Sequence, residues 1–389
     1  MPVVIYVLAM CVFSMTTSEF MVVGMMPSLA VSLGVSVSSV GYLVSAFAGG
    51  VVVGGPILAV LLFKTSNKHA LLILASLFCL SQAIGAVAMN YNVMLFSRIL
   101  SGVVHSAFFG VALSVCASLA GPERIGRASA IVMGGLMVAS VIGLPAATWL
   151  DQYTSWRMSF WIISGLMLLG IIACATLVPK QPVKSSASLK QEIAALGKGE
   201  LWAACITSGL VVGAVFAMFT YLFPILTQVT GFSPTTIPVL LAMYGAATVV
   251  GIMIVGRIAD RYTMRILFCG QVILITLLVT FALNTESMVI STLALLLKGL
   301  VGLPMNPALA TRVMRLAKNS SLVNTIYIAV SNVGIVVGSW VGGLAIAEGY
   351  GLRSPLWIGG ILAAFGLLSI LPFLTRHSAR AMREKTLMQ

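Results

Sequence analysis

Charge is scarce in this chain, and acid is scarcer still. Only 8% of its 389 residues are Asp, Glu, Lys or Arg, and just nine of them are acidic. A soluble domain carries roughly a quarter charged and about half apolar residues, whereas here the hydrophobic share is 60% and the mean hydropathy is +1.10. That balance excludes a soluble globular protein and places the chain in a bilayer. Histidine is thin as well: His69 and His377 flank apolar runs and only His105 lies inside one, so metal catalysis is poorly supplied with ligands. The six cysteines, Cys11, Cys79, Cys116, Cys174, Cys205 and Cys269, show no paired spacing of the metal or redox kind and read as buried free thiols.

In place of polar domains the chain has a series of apolar segments near the ~20 residues that span hydrocarbon as a helix. Twelve are read, at roughly 3–26, 40–62, 69–89, 92–119, 128–150, 158–178, 201–229, 236–256, 266–284, 287–311, 321–347 and 355–375. These runs are continuously apolar, whereas barrel strands alternate over about ten residues, so the fold class is an all-α membrane protein. The first run is too long for a signal-peptide core and carries Glu19 in place of a small-residue cleavage site, so it is expected to be retained.

The net charge of +13 would point to nucleic acid in a soluble protein, but here its placement marks topology. Eighteen of the 22 Lys and Arg, among them Lys64, Lys68, Arg124, Arg127, Arg257, Arg261, Arg265, Arg312 and Arg315, fall on one side of the proposed membrane. The opposite loops hold Arg157 and Arg353, while Arg98 and Lys298 lie within spans. By the positive-inside rule both termini are cytoplasmic, and no nucleic-acid partner is expected.

The longest polar segment, rich in Lys and Ser, divides the chain into an N-terminal six-helix bundle (1–178), a cytoplasmic linker (179–200) and a C-terminal six-helix bundle (201–389). A weak repeat crosses that divide. Lys64 and Lys68 after span two match Arg261 and Arg265 after span eight at an offset of 197, and Arg98-x3-Gly102 matches Lys298-x3-Gly302 at an offset of 200. Parallel six-helix halves are an arrangement on which transporters are built, with the substrate site at their interface near the midplane.

Glu19 is the carboxylate that composition least explains, since an ionisable group in a span costs about 2.5–3.5 kcal/mol on insertion scales and is kept where it faces a bundle interior or a water path. By helical rise it lies about 12 Å below the outer face, taking span one to end near Pro27, and Arg98 lies about 10 Å down span four, so the two can meet. Arg98, Gly102 and His105 share one helix stripe at i, i+4 and i+7. The arginine favours the ionised carboxylate while desolvation favours the neutral acid, so a modest rearrangement switches Glu19 between them. An imidazole titrates near neutrality unaided. A proton path through Glu19, Arg98 and His105 is one reading. A permanent Glu19–Arg98 ion pair that locks helix packing, with His105 as a core histidine, is the other. Lys298 sits about 15 Å into span ten, too deep for easy snorkelling unless it faces a cavity. Tyr221 and Asn332 join it as candidates to line a substrate cavity, although polar side chains also bridge transmembrane helices.

These residues carry a resemblance. Gly256-Arg257-Ile258-Ala259-Asp260-Arg261-x3-Arg265 resembles the loop signature of the major facilitator superfamily, and Arg98-x3-Gly102-x2-His105 is similar to the span-four motif of its drug:proton antiporter branch. Thr17-Ser18-Glu19-Phe20, the run Gly143 to Trp149, Trp156 to Phe160, and Phe219-Thr220-Tyr221-x2-Pro224 look like that branch too, in particular its bacterial sugar-efflux and arabinose-exporter-like members. The similarity covers essentially the whole chain. It implies twelve helices in two six-helix halves, alternating access, and a span-five glycine–proline motif associated with exporters, here Gly134, Gly135, Gly143 and Pro145. It also implies a cytoplasmic conformational gate at Arg257, Asp260 and Arg261, weakened in the first half because Phe63 stands where the second copy has Asp260.

The function so implied is proton-coupled efflux of small molecules, drugs or sugars, across the bacterial inner membrane. A monomer in the lipid bilayer would run on the proton gradient, with no cofactor or metal and no enzymatic activity. A proton-coupled importer on the same fold is the alternative, and a membrane-embedded enzyme or a channel is more remote.

Overall fold

The computed structural model describes residues 1–62, 65–120, 124–179, 199–317 and 321–387, and among these every regular element is helical. The first seven spans are α1 (Val3–Gly24), α2 (Val37–Leu61), α3 (Asn67–Ala86), α4 (Tyr91–Ala120), α5 (Ile125–Tyr153), α6 (Trp156–Leu177) and α7 (Gly199–Thr220). The next apolar stretch, Pro234–Leu283, is 50 residues long. That is about 75 Å of helix, more than twice the hydrocarbon thickness of ~30 Å. It is broken at Tyr262 (φ −123°, ψ 25°), and the two arms are α8 (237–261) and α9 (263–283). With α10 (Met288–Leu316), α11 (Ser321–Ala347) and α12 (Ser354–Leu387) the described spans number twelve.

Two boundaries differ from expectation. The anticipated loop after span eight is helical, because nothing between Arg257 and Arg265 is Gly or Pro and the reversal narrows to one residue. Arg257, Asp260 and Arg261 therefore stand on a helix end. Span one does not stop near Pro27: the chain breaks at Met25 and resumes as Met26–Leu33 with the proline in its first turn, where a missing N–H has no partner to lose. The linker 179–200 falls outside the described residues except at its ends, as do Phe63 and Lys64.

Prolines shape two further spans. In α5 a wide π-helical turn, Ala139–Gly143, comes directly before Pro145, which has no N–H to give the carbonyl of Val141. α7 breaks at Tyr221 (φ −103°, ψ 15°), ahead of Pro224 and a second π-helical turn at Ile225–Val229.

Apolar helices gain no hydrophobic energy by leaving lipid for one another, so close packing has to hold them. Gly209 and Gly213 of α7 meet Gly334 and Gly338 of α11 at backbone contact: a Cβ at Gly334 would lie 2.0 Å from the Gly209 oxygen, and one at Gly338 would lie 2.2 Å from that of Gly213. α11 in turn lies along α2, and α8 lies along α5, which joins the first six spans to the last six.

Gly338→Val is expected to destabilise the fold by at least the ~1–3 kcal/mol of a typical overpacked site. Gly134→Ala should be tolerated, since a Cβ there meets nothing within 4 Å. The monodisperse fraction that survives heating in detergent, read by size-exclusion chromatography, checks the contrast.

Candidate functional site

From Ser14 to Gly24, α1 is buried at every residue except Glu19. The side chain of Glu19 is 17% exposed, and its Oε2 lies 3.8 Å from Nδ1 of His105 in α4, which is 13% exposed. The separation exceeds a hydrogen bond, and both side chains are partly exposed. Arg98, one helical stripe away, is fully buried and does something other than pair with that carboxylate. Its guanidinium donates to the backbone oxygen of Ser18 at 2.8 Å, to Ser18 Oγ at 3.1 Å and to the backbone oxygen of Glu19 at 3.2 Å, and it lies 4.5 Å from the ring centroid of Phe47. The two residues meet as their depths suggest, but through the backbone. The carboxylate is thus left facing His105 while the helix turn that carries it is held from behind.

A counterpart stands in the second half. Lys298 of α10, 1% exposed, donates to the backbone oxygen of Val215 at 3.3 Å and has its amine 5.3 Å from the ring centroid of Tyr244. Between the halves runs an aromatic cluster: Phe20 lies 6.3 Å from Phe216 and 6.0 Å from Phe219, and Phe219 stacks on Tyr244 at 5.4 Å. Tyr221, a candidate to line a cavity, is instead buried where α7, α2 and α11 converge. Its hydroxyl donates to the backbone oxygen of Ser339 at 2.8 Å, and a Cβ at Gly41 or Gly343 would lie 2.1 or 2.3 Å from it. Asn332, the third candidate, is half-buried and bonds back to Ile328 of its own helix.

The same end of the molecule is closed by a Ser45–Ser339 hydroxyl pair at 2.7 Å and by Gln152 Nε2 donating to the Pro234 oxygen at 2.6 Å. These contacts all lie toward the end opposite the basic loops. At the basic end, Asp260 is exposed and pairs within the second half, its carboxylate 3.9 Å from Arg315 and 3.5 Å from the hydroxyl of Thr311. Arg261 lies over Tyr262 and Arg257 is exposed to solvent. In α5, a Cβ at Gly143 would lie 2.1 Å from Thr17 Oγ1 and one at Gly135 would lie 2.2 Å from the Ala9 oxygen, so the glycine–proline span packs directly on the helix of Glu19.

Residues 8–327 match the Major Facilitator Superfamily. The chain belongs to that superfamily. This facilitator is 31% identical over 391 residues to the chloramphenicol resistance protein of Streptomyces lividans, covering 99% of this chain and 100% of the relative. It is also 30% identical over 352 residues to the putative transporter AraJ of Escherichia coli (strain K12), covering 89% of this chain and 88% of the relative. A bacterial homolog of the human lysosomal transporter Spinster, solved in an inward-facing and unoccupied conformation, shares the fold with a TM-score of 0.73 at 14% identity over 96% of this chain and 97% of that one. The resemblance read from the motifs is borne out at the level of the family and of these relatives.

Sequence reasoning about this facilitator missed the polar belt that supports the site. Ser18 Oγ donates to Gln82 Oε1 at 2.9 Å, Gln82 Nε2 donates to Ser101 Oγ at 2.9 Å, and Ser81 and Ser101 pair at 2.8 Å, all of them buried. Gln82 alone had a signal, as a carboxamide deep inside the third span, far from its polar start at Asn67 to His69. Phe47, which supports both Arg98 and the His105 ring, had none.

Gly41→Ala is expected to wedge the closed end apart, because its methyl takes the place of the Tyr221 hydroxyl. A cysteine at Ser38, buried beside Gly343, should then react several-fold faster with a membrane-impermeant maleimide added from that side. An unchanged rate would count against the lock.

Proposed function

We propose that the protein is a proton-coupled exporter of small molecules, of the drug or sugar kind, working by alternating access in the bacterial inner membrane with both termini in the cytoplasm. The observation that carries this reading is the Glu19 carboxylate: it is the one partly exposed residue of a buried stretch of α1, faces a protonatable imidazole, and rides on a helix turn gripped by a permanent cation at the junction of the halves. Proton occupancy at such a carboxylate changes the charge at the junction by one unit, which biases whatever arrangement of α1 and α4 surrounds it. Residues 1–178 and 201–389 would rock about the junction, joined by the linker. With the basic loops inward, the closed end is the outer one, opposite the side from which an exporter loads. Asp260 and its arginines would close that side in the opposite form, and the π-helical turn before Pro145 lets α5 bend against α1. Export is one way to confer the resistance that the printed name of the Streptomyces relative states.

Uptake into inside-out vesicles under an imposed pH gradient, screened over chloramphenicol, sugars, nucleosides and lipophilic cations, tests direction and coupling together. Glu19→Gln is expected to keep substrate exchange and to lose uphill transport. Gradient-driven accumulation by a well-folded Glu19→Gln protein would overturn the proton-carrier role. Topology has its own check: a reporter fused after Glu200 should behave as cytoplasmic and one at Glu286 as exported, and the reverse pair would invert the orientation and the direction inferred from it.

A further inference from the structure

The two deep cations occupy repeat-related positions, and their surroundings differ in kind. Moved 197 residues along the chain, Ser18 becomes Val215 and Phe47 becomes Tyr244, while Arg98 becomes Lys298 at an offset of 200. Both cations therefore donate to the same carbonyl of the first span of their half and lie against the same aromatic position of its second span. The likeness ends there. Arg98 has three oxygen acceptors between 2.8 and 3.2 Å. Lys298 has one carbonyl at 3.3 Å, the thioether of Met218 at 3.6 Å and the Phe219 ring at 5.8 Å. The position that corresponds to Glu19 is Phe216, and among the described residues no carboxylate comes within ion-pair distance of the amine.

An ammonium carries a full charge and three donors, and a buried ion without a counter-charge costs several kcal/mol. Aromatic faces return about 0.5–2 kcal/mol of that. A neutral amine needs far less: its two N–H donors can go to the Val215 carbonyl and the Met218 thioether, with no charge left to compensate. A guanidinium stays charged inside proteins, whereas a lysine amine readily gives up its proton. The first half thus places a permanent cation where the second half places an exchangeable one. The groups packed on Lys298 offer little else that titrates: α7 presents Val215, Met218 and Phe219, and α8 presents Tyr244.

The lid over the amine adjoins a hinge. Met218 and Phe219 immediately precede the break at Tyr221, the residue whose hydroxyl locks the outer end. Departure of Tyr221 from Gly41 and Ser339 would displace the adjoining turn that bears Met218 and Phe219, the groups that cover Lys298.

We propose that Lys298 is a second proton-exchange site of the transport cycle, taking a proton from the outer side when the outer end opens and releasing it to the cytoplasmic side as α7 closes over the amine to give the form in this structure. The proposal rests on the alternating-access reading above and adds to it a proton that Glu19 does not carry.

The test needs no substrate. Spin labels at Val31 and Tyr350, exposed on the outer loops of the two halves, report the open–closed equilibrium of the purified protein in nanodiscs, with native cysteines replaced. The slope of log K against pH equals the difference in bound protons between the two forms. In a Glu19→Gln/His105→Gln background the equilibrium should still move by up to about a decade per pH unit. Adding Lys298→Met should abolish that residual slope. Adding Lys298→Arg, which keeps a cation that cannot deprotonate, should abolish it too and covers the case in which the methionine variant misfolds. A flat response in the Glu19/His105 background, with the wild type still pH-dependent, would remove Lys298 and leave the Glu19 reading intact. A slope that survives Lys298→Arg would likewise overturn the proposal. A wild type indifferent to pH would take both readings down.

Discussion

A guanidinium cut off from water has to find its acceptors within the protein, and Arg98 finds them on the backbone of α1. Leaving it unpaired in a lipid-surrounded core would be far costlier than in a soluble protein, because no solvent can fill the gap. So α1 and α4 are fixed to each other at the depth of Ser18 and Glu19, and Gln82 and Ser101 extend that fixation into α3. The Glu19 side chain is the one group on this turn left free to face open space. Rigidity at the backbone and freedom at the carboxylate come from the same contact.

The second half repeats the backbone grip with a weaker hand. Val215 replaces Ser18, so the hydroxyl link to a polar belt is lost, and Phe216 replaces Glu19, so the acid is lost. Phe216 and Phe219 present instead an apolar face to Phe20, one residue from the carboxylate. The duplicated scaffold thus keeps its geometry while its two copies divide the chemistry: one carries a partly exposed acid, and the other supplies the aromatic surface against which that acid's helix rests.

Much of this was legible in composition and charge placement. Twelve spans, the six-plus-six register and the offsets of 197 and 200 follow from apolar runs and basic residues alone, and the helical depths of Glu19 and Arg98 bring those two residues to one place. What periodicity does not carry is direction at the scale of a side chain. Pairing an acid with a base by depth overlooks that backbone carbonyls compete for the guanidinium, which is how Arg98 turned to Ser18 and His105 came to face the carboxylate. Tyr221 shows the opposite limit: a polar tip in a span reads as cavity lining, yet glycines at 41 and 343 make room to bury it as a closure. Those glycines lie in α2 and α11, hundreds of residues apart, and nothing local marks them as its partners.

Among the described residues, the contacts that close the end away from the basic loops between the two halves are neutral: a serine pair, a tyrosine on a carbonyl, a carboxamide on a carbonyl, and glycines in contact. Neutral contacts of this kind are not screened by salt, so the strength of the lock is the same in dilute medium and in brine. None of these contacts carries formal charge, so the membrane potential, worth about 2.3 kcal/mol per charge per 100 mV, does not pull on them directly. Voltage acts instead on ionised groups such as those held deep within the halves, which sets the contacts that feel the energised membrane apart from those that seal this end.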